Sequence, residues 1–255
     1  NQYESILGTD IWKYNKAVKD KSVGQEAIES VLRQIIQVKV IGKEAAIEKV
    51  QLETDEKEEA DYRAKTVFDS ISAKDKQMQG IELKVLSKIF EENKLAQKMY
   101  NVQMGKLKID YAANTLSAAK VELIYQAANA KNKETVKNTM SQILSEVTSS
   151  QNSFYTVAKN KTQADAIEYI IGNQDSRTNL AKAVVSLKKN QTSALIEEKD
   201  GFYIAHCIQT NSAALQQQYR NQLVSEKQTE SFQKTYKTWS DKFDVKVSKA
   251  LLAAN

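Results

Sequence analysis

The chain has no proline and only seven glycines in 255 residues. Proline removes a backbone donor and clashes with the preceding helical turn, and glycine loses the most backbone entropy on ordering. A chain short of both is free to run long, uninterrupted helices. The N-terminal part reads that way. NQYESILGTDIWKYN starts without an initiator Met and reads as the continuation of a helix, so a leader and some early residues are expected upstream. Glu26 to Ile41 carries Ile28, Val31, Leu32, Ile35, Ile36 and Val40 in one apolar stripe, which continues past Gly42 to Ala46, Ile47 and Val50. Thr54 or Asp55 is a candidate cap for the next helix, with Glu58 as the capping-box partner of Asp55, and that helix runs to about Ile71. Ser72 with Asp75 offers another N-cap, opening a helix predicted to run to Gly105.

The pattern then changes. Lys106 to Asn114 is a candidate strand, Ser117 to Ala130 a candidate helix, Lys133 to Val147 an amphipathic helix and Asn152 to Ala158 a short one. Ile167 to Ile171 reads as a strand ending at Gly172, and Asn173 to Thr178 as a polar loop. Leu180, Ala183, Val184 and Leu187 share one helical face. Thr192 to Ile196 is β-compatible, Glu197 to Asp200 leads to Gly201, and Phe202 to Ile208 is aromatic and β-branched, predicting a turn and a buried strand. From about Ala213 to Lys242 the chain is helical again, before a brief extended FDVKV tail.

The stretch VVSLKKNQTSALIEEKDGFYIA resembles the C-terminal half of a parvulin-type peptidyl-prolyl isomerase domain, in its order of helix, SLKK, loop, charged hairpin, Gly, aromatic and final strand. The resemblance implies a pocket with two histidines on adjacent strands, and this chain has one histidine in all. Tyr203 stands in the place of the final-strand histidine. His206, three residues on, belongs on the opposite strand face. The first-strand histidine is expected to correspond to Ala112 or Ala113. The apolar pocket is thinned as well, with Ser176 at the family's Met, Leu180 at its pocket Phe and Val185 at its second helical Phe. Cys207 is on the wrong strand to replace the family's polar or thiol residue. The resemblance therefore implies an α+β parvulin fold with an eroded site at Ala112, Ala113, Ser176, Leu180, Val185 and Tyr203.

Composition narrows the chemistry. Net charge is +5, but Lys and Glu are interspersed, so no nucleic-acid partner is expected. One Cys allows no internal disulfide; Cys207 reads as a buried, inert thiol. With a single His as well, no metal site and no cofactor are expected. No apolar run is long enough to span a bilayer.

The flanks complete the reading. Helical residues 1–105, a parvulin-like unit over 106–212 and a C-terminal helix and tail over 213–255 resemble the secreted foldases and chaperones of the PrsA and SurA type. In that architecture the two flanks form one helical chaperone domain around an inserted antiparallel sheet with its helices. The resemblance implies an extracytoplasmic protein, secreted or anchored to the cell envelope, whose partners are unfolded or partly folded polypeptides. Membrane anchoring through a leader outside this chain, and homodimer formation, both stay open. Tyr62, Phe68, Phe90, Tyr219, Phe232, Tyr236 and Trp239 recur at helical spacing and read first as core, second as the lining of a client cleft. The acidic run Glu53 to Asp61 reads as a solvated helix start. Three functions stay open: a chaperone or foldase with weak or absent isomerase activity, a competent isomerase with Tyr203, Ser176 and Leu180 in an altered pocket, and a helical assembly protein in which the parvulin unit is a spacer.

Overall fold

A computed structural model describes residues 23–112, 115–149 and 153–246, so the opening NQYESILGTDIWKYN lies outside the described residues. The protein is α+β, with one four-stranded sheet among helices in the described residues. It divides into two compact units. One comprises residues up to Lys108 together with those from Gln228 onward, and the other is Ile109–Lys227.

The helical unit contains α1 (Val23–Ile47), α2 (Thr54–Ser70), α3 (Ala73–Gln79) and α4 (Leu83–Gly105). Its α2 is capped one residue earlier than the sequence suggests. Glu53 is the N-cap and Glu56 the capping-box partner, with the Glu53 backbone N–H donating to Glu56 Oε2 at 2.8 Å. Ser72 caps α3 by accepting from the Asp75 N–H at 3.1 Å. The single helix expected from Ser72 to Gly105 is broken, because Gly80 takes the left-handed conformation at φ 60° and closes α3; α4 starts afresh at Leu83. Val40, Ile41, Ala45, Ala96, Met99 and Trp239 form the buried core of this unit. Helices α2 and α4 pack closely against each other. The residues of α2 that are buried are Ala60 and Ala64, and the helices are bridged by Lys94–Glu59 at 2.5 Å and Lys98–Glu56 at 2.6 Å.

In the central unit the elements are β1 (Ala118–Ala127), α5 (Lys133–Ser149), α6 (Phe154–Lys161), β2 (Glu168–Gly172), α7 (Thr178–Ser186), β3 (Ile196–Glu198) and β4 (Gly201–Gln209); α8 (Ala213–Ser240) begins here. Two sequence expectations fail. Ser117 to Ala130 is predicted as a helix, yet Ala118–Ala127 is β1; Lys106 to Asn114 is predicted as a strand, yet its described residues beyond 106 have no regular structure. The reason is physical. β1 lies inside a sheet of order β2-β1-β4-β3 and alternates Lys120, Glu122 and Gln126 with Val121, Leu123 and Tyr125, a two-residue period that fits a strand and that the helical reading passes over; Ile124 interrupts it by turning to the second core with Met140 and Phe202. Ala112 therefore lies before β1 rather than in the first strand, and Ala113 falls outside the described residues.

All pairings are antiparallel, with Ala118 opposite Gly172 in β1–β2, Tyr125 opposite Tyr203 in β1–β4 and Ile196 opposite Tyr203 in β3–β4. On one face α7 packs Leu180 and Val184 against Ala119, Val121, Leu123, Ile171, Tyr203, Ala205 and Cys207. On the other, α5 and α6 pack Met140, Ile143, Phe154 and Val157 against Ile124, Phe202 and Ile204. The first half of α8 belongs to this unit through Leu215, Tyr219 and Leu223, which pack with Leu116 and Ala118. A side chain at Gly172 would run into the Tyr219 ring, and the Tyr219 hydroxyl accepts from the Gln174 N–H at 3.1 Å. The sequence boundary at residue 212 thus precedes the division between the units, which falls inside α8 after Lys227.

Candidate functional site

Of the residues singled out from sequence, Leu180 and Tyr203 lie on the face under α7. Helix α7 is held over the sheet from its N-terminus, where the backbone N–H groups of Asn179 and Leu180 donate to Glu198 Oε1 at 2.7 and 2.9 Å. Asn179 Nδ2 donates to the Glu197 carbonyl at 2.8 Å. A carboxylate from the β3–β4 hairpin thus satisfies helix-end donors that lack an intrahelical partner, and it does so at the positive end of the helix dipole. The result fixes Leu180 and Val184 facing inward, both fully buried.

Above them a polar cluster gathers around Tyr203. Its ring stacks with Tyr125 of β1, centroids 4.7 Å apart at 26°. The Tyr203 hydroxyl donates to Asp200 Oδ2 at 2.6 Å, and the Tyr125 hydroxyl donates to the Asp200 carbonyl at 3.0 Å. In the loop before α7 the Asp175 N–H donates to the Gly172 carbonyl at 3.0 Å, turning the chain back. Arg177 then grips Asp175 as a fork, Nε to Oδ1 at 2.9 Å and Nη2 to Oδ2 at 2.7 Å. Its guanidinium lies over the Tyr203 ring, 5.5 Å from the centroid. Burial, followed by the hydrogen bond to Asp200, pushes the Tyr203 phenol well up, so it stays a neutral donor at physiological pH. The hydrogen bonds to Asp175 hold Arg177 firmly in its charged form.

The positions named from sequence are therefore not gathered into an open pocket. Leu180 is 0% and Tyr203 2% exposed. Val185 is half-buried and Ser176 exposed, and Ala112 lies outside the sheet. His206 faces the other side, where its ring stacks on Phe154 at 5.3 Å and Nδ1 shares a hydrogen bond with Thr192 Oγ1 at 2.9 Å. Burial pulls its pKa below the ordinary histidine value. The residue opposite Tyr203 is Tyr125 on β1 and Ile196 on β3. Sequence reading misses Tyr125, Asp175, Arg177 and Asp200. With β1 read as a helix there is no strand to set beside Tyr203, and DSR in a polar loop carries no periodic signal. A groove beside this cluster is lined by Asn129, Lys133, Asn179, Glu197 and Phe202, and Lys133 bridges to Glu197 there at 2.6 Å.

Chemically, the cluster offers no activated nucleophile and no free general base. Both phenols donate to Asp200 and the guanidinium is held by Asp175. Prolyl isomerisation needs neither, since lowering the roughly 18–20 kcal/mol barrier to C–N rotation takes only apolar shape and fixed donors. What it does need is accessible surface, and here the apolar surface is covered. Among the described residues, no group of three or more His, Cys, Asp or Glu side chains is placed to hold a metal ion.

Residues 116–209 match the family model described as Rotamase: PPIC-type PPIASE domain. The chain is similar to a solved PpiC-type peptidyl-prolyl cis-trans isomerase domain, with 20% identity over 40% of this chain and 98% of that one and a TM-score of 0.34. It is also similar to the peptidylprolyl isomerase PrsA from Bacillus anthracis, with 14% identity, coverage of 86% and 99%, and a TM-score of 0.45. A third likeness is to the SurA-like chaperones PEB4 and Cj1289 of Campylobacter jejuni, with 12% identity, coverage of 93% and 92%, and a TM-score of 0.32. No curated protein sequence matches the chain.

Proposed function

We propose that this protein is an extracytoplasmic chaperone or foldase for unfolded polypeptides, and that its PPIC-type domain has weak or no prolyl isomerase activity. The observation that carries the chaperone reading is an apolar surface on the helical unit. Val31, Ile35 and Ile89 are 54%, 50% and 45% exposed and line one groove with Val38. Val85, one turn before Ile89, is 53% exposed. Large apolar side chains gathered this way mark interaction surfaces. The polar rim of Lys39, Glu92 and Asn93 suits a client backbone crossing the groove. Low isomerase activity follows from the burial of Leu180 and Tyr203, since a proline ring gains little from surface it cannot reach. No described helix is long and apolar enough to cross a membrane.

The test has two arms. Stoichiometric protein is expected to suppress aggregation of a chemically unfolded client; no suppression by the folded protein rejects the chaperone reading in favour of an assembly role. A protease-coupled assay over a panel of Xaa-Pro peptides is expected to stay near the uncatalysed rate. A strong acceleration abolished by Tyr203→Phe establishes the altered-pocket isomerase instead.

A further inference from the structure

We propose that Arg177 is a built-in occupant of the substrate face of the PPIC-type domain, an autoinhibitory contact whose guanidinium sits where a proline-containing segment would pack on Tyr203. The proposal rests on the reading of residues 116–209 as a prolyl isomerase-type domain with Tyr203 and Leu180 at its substrate face, and is independent of the chaperone surface on the helical unit.

Three observations carry it. The layers run outward in a definite order: Leu180 is 0% exposed and Tyr203 2%, whereas the Arg177 side chain keeps 31% of its surface in water. Arg177 is thus the outer cover of Tyr203. Its position is also specified, because both carboxylate oxygens of Asp175 take its Nε and Nη2 at 2.9 and 2.7 Å. The Arg177 backbone N–H donates to the same Oδ1 at 2.9 Å. A fork closed two residues away in one loop holds the guanidinium over the ring while leaving the remaining side-chain torsions as the only freedom needed to withdraw it. Finally, the rest of Tyr203 is already engaged, by Tyr125 stacked at 4.7 Å and by Asp200 at the hydroxyl. The surface under the guanidinium is what remains for a ligand. A cation over an aromatic face is attracted by the ring quadrupole, so an incoming peptide must displace a favourable contact as well as open the cover.

The experiment is a 1H–15N NMR titration of the full chain with a capped Ala-Leu-Pro-Phe peptide, following the backbone signals of Tyr125 and of residues 200–204. For the wild type, saturable shifts there are expected to be weak or absent. Arg177→Ala is expected to bind about tenfold tighter, the factor that loss of one cation–π contact supports. Methylguanidinium should compete with the peptide in Arg177→Ala by refilling the vacated place. Asp175→Asn keeps the guanidinium but releases its fork, and is expected to give a smaller gain; it decides the matter if Arg177→Ala does not fold. A folded variant with peptide shifts no stronger than wild type, or with tighter binding that methylguanidinium leaves unchanged, overturns the proposal. Failure of aggregation suppression would leave this result untouched, so the two readings fail separately.

Discussion

The two units of this protein are held together by different means. In the central unit both faces of the sheet are covered, by Leu180, Val184 and Leu187 on one side and by Met140, Ile143, Phe154 and Val157 on the other. Apolar burial of that kind fixes one arrangement, because close-packed side chains tolerate few alternatives. The helical unit has a smaller core around Met99 and Trp239 and ties its helices with ion pairs: Lys39–Glu92 at 2.5 Å, Lys106–Glu48 at 2.7 Å, Lys94–Glu59 at 2.5 Å and Lys98–Glu56 at 2.6 Å. It leaves Val31, Ile35, Val85 and Ile89 in water. The contrast teaches that close packing resides in the central unit, while exposed apolar surface resides in the helices. Exposed ion pairs contribute little each, so the helical unit is the softer one.

The sharpest way to break this comparison is to truncate each core. Trp239→Ala should destabilise the helical unit by about 3–5 kcal/mol and Leu180→Ala the central unit by about 2–5 kcal/mol. If the units are energetically separate, each variant shifts one of two transitions in calorimetry or urea unfolding. A single shared transition that moves equally for both would show that the difference in packing has no thermodynamic counterpart.

Lys242→Met probes the place where, among the described residues, the helical unit buries charge. Glu44 is 2% exposed and Lys242 Nζ donates to both of its oxygens at 3.1 Å. Leaving that carboxylate without its partner should cost about 1–3 kcal/mol, read as a lower urea midpoint.

Acid should act on the two units in opposite senses. Hydrogen bonds from Lys98 and Lys94 lower the pKa of Glu56 and Glu59 from the usual 4.5. Their contribution is complete above about 4.5 and fades as pH falls through the lowered folded-state values. Burial and the neighbouring Glu168 raise Glu122 of β1 above 4.5, so the fold favours its neutral form and loses that contribution as pH rises. Glu56→Gln is therefore expected to destabilise at neutral pH and to approach wild type in acid. Glu122→Gln should stabilise at neutral pH, with its advantage likewise shrinking in acid. Urea midpoints of the three proteins across the acid range check both signs, and a Glu122→Gln that destabilises at neutral pH contradicts the second.

The smallest effect on stability is expected at the exposed groove. Val31→Ser and Ile35→Ser should each change unfolding free energy by less than about 0.5 kcal/mol. Together they should nevertheless weaken aggregation suppression. Unchanged suppression by the folded double variant would place client binding elsewhere.

Much of the fold is legible in the amino-acid sequence. Glycine and proline scarcity predicts long helices, and α1, α4 and α8 run from Val23 to Ile47, Leu83 to Gly105 and Ala213 to Ser240. The strand expected over Ile167 to Ile171 is β2, and the one expected from Phe202 is β4. Core and surface are harder to separate among the aromatics. Tyr219 and Trp239 are buried, but Tyr62 is 73% exposed. Helical spacing gives the face a residue lies on and says nothing about whether another element arrives to cover it.

From sequence alone come the α+β class, the order of most elements and the resemblance of the segment from Leu180 to Ile208 to part of a parvulin-type domain, because helix faces, caps and hairpins are local properties written at short spacing. Only the tertiary structure decided that Ala118–Ala127 pairs between β2 and β4, that Tyr125 stands opposite Tyr203, that the first half of α8 packs with the sheet and that the Arg177 guanidinium lies over the Tyr203 ring. Each of these joins residues distant in the chain. Pairing partners across a sheet and a cation placed over a ring by a loop leave no periodic trace, so the contacts themselves decide them.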